Sequence, residues 1–218
     1  MASRIILDPT TVAREMALRK VEVQGWKRLI QIDLDAAIML LANLICEGSP
    51  RTRGLLEVFH ERAQSKAAFE YLSTQEFDDS ARQAFLFIWA AVAHDIRRGV
   101  ADDDILLDAL WNLLPRYSGP SLRLYRGEPC IDFDAGRRGI CWSSDRKAAL
   151  IFAQGRNAIA GGGVLVETDA PPDAIIAQVS TESTTGWEFE HIVDHRKLGE
   201  NSTTRIVSRD YVRVCPRS

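Results

Sequence analysis

Apolar residues recur at helical spacing through the first half of the chain. One such series runs from Trp26 through Leu29, Ile30, Leu34 and Ile38 to Leu41. Asp8 followed by Pro9 is typical of a helix start, and "EGSP" at 47–50 is typical of a helix end. Further helices are expected over 51–64, 66–73, 78–99 and 102–115. In the third of these, acidic residues lie at the start and basic residues at the end, an order that the helix dipole favours.

From about residue 120 the pattern changes to short apolar runs separated by turn residues. Strands are expected over 122–127, 139–142, 163–168, 173–179, 188–194, 204–208 and 211–215. One helix interrupts them, "RKAALIFAQG", capped by Ser144 or Asp145 and closed by Gly155. The change of period near "YSGPS" predicts an α+β protein with an all-helical region at 1–117 and a β-rich domain at 118–218.

Composition and charge narrow the class of function. The chain has 218 residues, 46% of them hydrophobic, and a formal net charge of −3, so no overall basic field attracts nucleic acid or anionic lipid. Its four cysteines include no C-x-x-C pair, and its apolar runs are too short to span a bilayer. We therefore expect a cytoplasmic protein with reduced thiols and no membrane or nucleic-acid partner. A protein delivered into a target cell by a non-classical route would have the same composition.

The stretch "GWEFEHIVD" at 186–194 places two carboxylates in an apolar strand. On a strand, Glu188 and Glu190 face the same way, roughly 6.7 Å apart. At that distance they repel by about 2–3 kcal/mol at an effective dielectric near 20. The pair either keeps a sheet edge soluble or meets a cation, such as a guanidinium or a sugar developing oxocarbenium character.

Two other segments contain candidate site residues. "LRLYRG" ends an apolar strand with Arg126, a side chain suited to gripping phosphate, although a surface arginine is common at such a position. "CWSSD" places Ser143 and Ser144 between a strand and a helix. Either serine could cap the helix, and Ser143 could instead project from the strand end towards a carboxylate or a ligand.

In order and spacing, "LYRG", "WSSD" with "AALIFA", "GVLVETDAPPDAIIA" and "EFEHIVD" resemble the mono-ADP-ribosyltransferase fold of the Arg-Ser-Glu class. This class is related to cholera toxin and the arginine-specific ectoenzymes. The resemblance covers about residues 120–215 and implies a mixed, mainly antiparallel split β-sheet. The helical region shares nothing specific with the family.

The resemblance also implies roles for individual residues. Glu190 matches the catalytic glutamate that bonds the 2'-hydroxyl of the nicotinamide ribose, and Glu188 matches the residue associated with arginine acceptors. Ser143 matches the serine that orients the catalytic glutamate. The sequence has Trp-Ser-Ser where the family often has Ser-Thr-Ser. The residues expected to contact NAD are Arg126, which would hold phosphate and ribose, with Tyr125, Gly127, Trp142, Ser143 and Ser144.

The expected function is therefore an NAD-dependent mono-ADP-ribosyltransferase, of the toxin or effector type, that modifies a protein acceptor, an arginine side chain, and releases nicotinamide. NAD is the substrate, and no metal is expected, because His191 and His195 lie on a strand entering a turn rather than on one helix face. Two alternatives stay open: an NAD glycohydrolase, and a catalytically silent binding module. Binding of the target or of an inhibitor is the candidate role of the helical region.

Overall fold

The chain folds as two units, each with its own secondary-structure class. The computed structural model describes residues 9–155, 161–179, 190–198 and 205–211. Contacts divide the chain between Leu113 and Leu114, slightly before the change of period at "YSGPS". Helices precede this point and the sheet follows it, so the predicted α+β class is confirmed.

The helical unit contains six described helices. They are α1 (Pro9–Ile32), α2 (Leu34–Cys46), α3 (Arg51–Glu61), α4 (Ser65–Leu72), α5 (Asp79–Val100) and α6 (Asp103–Leu113). Their buried faces carry large apolar side chains, among them Phe59, Phe69, Phe85 and Trp89, none of which is exposed. This unit has the pattern of amphipathic helices around an apolar core that its sequence period predicts.

The predicted helix through residues 26–41 is divided in two at Asp33. The backbone of Asp33 is non-helical, with φ −148° and ψ 87°, and its carboxylate accepts a hydrogen bond from the Ala36 amide at 3.0 Å. A short polar side chain that bonds the backbone in this way competes with the helical hydrogen bond and begins a new helix. The apolar series continues across Asp33, so the sequence pattern did not indicate that the helix ends there.

The sheet unit contains six described strands and two helices. The strands are β1 (Leu122–Pro129), β2 (Cys141–Ser143), β3 (Gly163–Ala170), β4 (Ile175–Gln178), β5 (Glu190–Val193) and β6 (Arg205–Tyr211). Helix α7 (Cys130–Asp134), which the sequence did not predict, follows β1, and α8 (Arg146–Gln154) follows β2. The strands predicted at 204–208 and 211–215 are represented by β6, and residues 212–215 lie outside the described residues.

The described strands form one sheet in the order β4-β5-β2-β1-β3-β6, and every pairing is antiparallel. The expected mainly antiparallel sheet is confirmed, although the described strands include no parallel pair and belong to one continuous sheet. The pairing is nevertheless very uneven. β1 pairs with β3 along its whole length, from Leu122↔Ala170 to Pro129↔Gly163, but with β2 only at Tyr125↔Ser143. Two three-stranded halves thus meet at a single paired position.

The two faces of the sheet are covered differently. On one face, Leu124, Trp142, Val164, Val166 and Val193 belong to one buried cluster. On the other face, α8 packs Ala149 and Ala153 against Leu165, with Tyr125 beside them. Among the described residues, no helix has both the length and the apolar character needed to cross a membrane.

Helix α8 lies very close to the sheet because two glycines face it. A Cβ on Gly127 would lie 2.3 Å from the amide nitrogen of Ala153, and one on Gly163 would lie 1.9 Å from the Ala153 carbonyl oxygen. Both contacts are with backbone atoms, which cannot turn aside. The position of α8, and therefore of the β2–α8 turn, depends on these two missing side chains.

Gly127→Ala should therefore destabilise the protein. Overpacking against fixed backbone costs about 1–3 kcal/mol, and we expect the upper part of that range because the helix has to shift. The matched control is Gly25→Ala, where an added Cβ meets nothing within 4 Å and lies inside α1. Alanine favours a helix more than glycine, so this control should be neutral or stabilising. Equal thermal unfolding curves for the two variants would contradict this account of the packing.

Candidate functional site

Three of the predicted site residues form a row across adjacent strands. Tyr125 on β1 pairs with Ser143 on β2, and Ser143 pairs with Glu190 on β5. Directly paired residues of antiparallel strands project to the same face, with Cβ atoms about 4.5–5.5 Å apart. The fold therefore brings a phenol, a hydroxyl and a carboxylate together although 65 residues separate the first from the last in sequence.

Ser143 is held by the turn into α8. It is 9% exposed, and its Oγ accepts a hydrogen bond from the Asp145 amide at 3.0 Å. The helix cap is Asp145, whose carboxylate accepts from the Lys147 amide at 2.8 Å. Of the two candidate caps, Asp145 is thus correct, and Ser144 is exposed at the turn. The oxygen of Ser143 is fixed at the point where β2 ends.

Glu190 begins β5 and is half-buried, with its Oε1 shielded from solvent. Its carbonyl oxygen accepts a hydrogen bond from the Val179 amide at 2.8 Å, which fixes the backbone from the β4 side while Ser143 lies on the other. Glu188 lies outside the described residues, as do Trp187 and the loop before it. The geometry of the Glu188–Glu190 pair therefore stays a prediction.

Arg126 points to the opposite face from this row. Side chains alternate along a strand, so Arg126 shares its face with Glu128 rather than with Tyr125. Its Nε donates a hydrogen bond to Oε1 of Glu128, and the Glu128 side chain is 4% exposed. Its Nη1 donates to the carbonyl oxygen of Cys141. The structure thus groups Ser143 with Glu190 and places the Arg126 guanidinium with a buried carboxylate.

The hydrogen bond from Arg126 to the Cys141 carbonyl connects β1 with β2. The carbonyl of Ile140 accepts from the Val193 amide at 2.8 Å, so it points towards β5. Successive carbonyls of a strand point to opposite neighbours, and the Cys141 carbonyl consequently faces β1. Since β1 and β2 pair only at Tyr125↔Ser143, this hydrogen bond from the guanidinium is a second link between the two strands.

Gly139 completes this arrangement. Its amide donates to Oε1 of Glu128 at 2.5 Å, and a Cβ there would lie 2.0 Å from Cζ of Arg126. The guanidinium therefore lies against a backbone that has no side chain. We call Arg126, Glu128, Gly139 and the Cys141 carbonyl the Arg126 junction. Nη2 of Arg126 has no acceptor within the described part of the chain, and the side chain is 19% exposed, so one edge could still bind an anion.

Two residues expected to contact NAD have packing roles in the structure. Trp142 is 1% exposed, lies in the sheet core and donates its indole N–H to the Gly139 carbonyl at 3.0 Å. Gly127 is buried beneath α8. Both residues are buried in this structure, and their assignment to NAD stays a prediction. Each of these two residues adjoins a candidate site residue in sequence. The sequence of a motif alone does not show which of its residues are buried and which are accessible.

The sequence-based reasoning missed Glu128. The signal was present in "YRGE", because an arginine and a glutamate two positions apart on a strand share a face. The Arg126–Glu128 pair matters for stability because Glu128 is buried. A sequence gives no reason to expect a buried glutamate, since acidic residues are mostly exposed. Arg123 and Asp169 provide a contrast, since they form an exposed pair at 2.8 Å between β1 and β3, whereas Arg126 and Glu128 both lie on β1. Hydrogen bonding to Asp169 raises the pKa of the Arg123 guanidinium.

The helical unit contains a separate cavity of about 290 Å³ between α3, α4 and α5. Its lining is mixed, with Phe69 and Ile96 beside charged Glu57 and Arg98. Nδ1 of His60, which also lines it, is buried and has no hydrogen-bond partner among the described residues. Within the same residues, no group of three or more His, Cys, Asp or Glu side chains is arranged to hold a metal ion.

Comparison of the chain with protein-family models, with curated proteins and with solved structures gives no match. What the fold and site define is a class of architecture: a helical unit followed in sequence by an antiparallel sheet unit, with a serine–glutamate pair on adjacent strands.

Arg126→Ala should be strongly destabilising, because it leaves the buried carboxylate of Glu128 without a cation and removes the hydrogen bond to the Cys141 carbonyl. Breaking a buried pair from one side typically costs about 3–5 kcal/mol. Arg123→Ala is the control, since an exposed pair contributes about 0–1 kcal/mol. Urea unfolding followed by circular dichroism measures both. A loss below 1 kcal/mol for Arg126→Ala would show that the junction does not support the sheet.

Proposed function

We propose that the protein is an NAD-dependent mono-ADP-ribosyltransferase, with Glu190 as the catalytic residue and a protein arginine as the acceptor. The observation that carries the proposal is the direct pairing of Ser143 with Glu190 on adjacent strands. A serine fixed by its own turn can orient a half-buried carboxylate before any substrate arrives. Tyr125, next in the row, offers a ring to the nicotinamide ribose or base.

The reaction requires the bond between ribose C1' and the nicotinamide nitrogen to break. Its electron pair leaves with nicotinamide, and positive charge develops at C1' and the ring oxygen. Glu190, ionised and already oriented, stabilises that charge and accepts a hydrogen bond from the 2'-hydroxyl. A guanidinium nitrogen of the acceptor then bonds to C1' and loses a proton, which Glu188 accepts. Fixed electrostatic stabilisation of this kind contributes about 3–4 kcal/mol to lowering the barrier.

In this proposal, the diphosphate of NAD binds at Nη2 of Arg126. Because the guanidinium and the Ser143–Glu190 pair lie on opposite faces, the dinucleotide has to pass the point where β1 and β2 separate beyond Tyr125↔Ser143.

Hydrolysis of NAD by water is the competing activity, and the silent binding module is the competing function without chemistry. Incubation with labelled NAD, with and without cell lysate, separates the three readings. Labelled protein indicates transfer, free ADP-ribose indicates hydrolysis, and neither product indicates the silent module. Glu188→Gln should reduce labelling of protein while sparing hydrolysis, because Glu188 is assigned to the acceptor and not to the ribose.

Glu190→Gln should reduce nicotinamide release by roughly 100-fold or more while leaving the fold intact, because the amide keeps the shape and loses the charge. Nicotinamide release and protein labelling should fall together.

Glu70→Gln on α4 is the matched control. Glu70 is exposed and belongs to none of the strands that carry the site residues, so this variant should keep most of the activity. A Glu190→Gln variant with full activity on labelled NAD would refute the assignment.

A further inference from the structure

We infer that Glu128 is a positioning residue, one that holds the Arg126 guanidinium in the orientation needed to bind the NAD diphosphate. This inference rests on the proposed function. It assigns to that site a second carboxylate that acts through arginine and not on the ribose.

Two of the three guanidinium nitrogens are anchored within the protein. Nε donates to Glu128 and Nη1 to the Cys141 carbonyl. A guanidinium is planar, so two anchors on different sides fix both its plane and its rotation within that plane. The third nitrogen, Nη2, then points in one defined direction, and no acceptor among the described residues engages it.

The Glu128 carboxylate is itself held in place by a backbone amide. Oε1 of Glu128 also accepts the Gly139 amide, and the side chain is nearly fully buried. The absence of a Cβ at Gly139 lets the guanidinium lie directly against the chain. Arg126 therefore has little freedom to extend into solvent, and a ligand does not have to order it.

Substitution of Glu128 distinguishes a role in stability from a role in positioning Arg126. If Glu128 only offset the buried charge of Arg126, its loss would lower stability and leave NAD affinity alone. A negative charge beside Arg126 also weakens attraction for phosphate in general, so removing it could strengthen NAD binding if orientation did not matter. Only the positioning role predicts weaker NAD binding when the negative charge is removed.

The experiment compares Glu128→Gln, Glu128→Asp and Asp169→Asn in the full chain. Asp169→Asn is the matched control, because it breaks an exposed carboxylate–arginine pair whose arginine, Arg123, also lies on β1. Isothermal titration with NAD gives Kd, labelled NAD turnover gives KM and kcat, and circular dichroism gives Tm. We expect Glu128→Gln to raise Kd and KM about 10-fold or more with kcat changed less than threefold. Glu128→Asp, which keeps the charge, should raise Kd less than Glu128→Gln, and Asp169→Asn should change it less than twofold.

The possible outcomes separate this inference from the proposed function. If the unsubstituted protein neither binds nor cleaves NAD, the proposed function fails and this inference fails with it. If it does bind NAD and Glu128→Gln lowers Tm but leaves Kd unchanged or tighter, the proposed function stands and the positioning role is overturned. If Glu128→Gln does not fold, Glu128→Asp decides: a Kd at least threefold above that of Asp169→Asn supports positioning, and an equal Kd overturns it.

Discussion

The buried ion pair between Arg126 and Glu128 is the interaction on which the sheet unit depends. At this point β2 has left the β1 ladder, and the guanidinium donates to the Cys141 carbonyl across the gap. Glu128 offsets the charge of the guanidinium and accepts a hydrogen bond from the Gly139 amide. A polar cluster thereby joins β1 to the chain segment that contains β2. The β2 segment also carries Ser143, whose pairing with Glu190 belongs to the β2–β5 ladder.

Hydrophobic period was sufficient to predict the class of fold and most of its elements. The helices and strands lie close to their predicted ranges, because burial of one face dictates spacing in both kinds of element. The division between α1 and α2 at Asp33 could not be predicted from the spacing of apolar residues, because that spacing continues across Asp33. The division depends on one hydrogen bond of the Asp33 side chain. Helix α7 is only five residues long and leaves no periodic trace.

The candidate site was predicted in part. Ser143 and Glu190 were identified individually, but their register depends on loops between the strands, and a shift of one residue would have sent them to opposite faces. Trp142 and Gly127 were assigned to the ligand because they adjoin the motifs, whereas burial gives them to the core and to α8. Arg126 was recognised as a candidate because arginine suits phosphate binding. Its partner Glu128 was not recognised, because an acidic residue is expected at the surface.

The single paired position between β1 and β2 limits the substitutions that related chains can accept at the Arg126 junction. Replacing Arg126 alone would leave the buried carboxylate of Glu128 without its cation, and Gly139 cannot gain a side chain while the guanidinium lies against it. Related chains should therefore keep these three positions together or lose them together. A descendant that abandoned all three would need a longer β1–β2 ladder to join the two halves of the sheet.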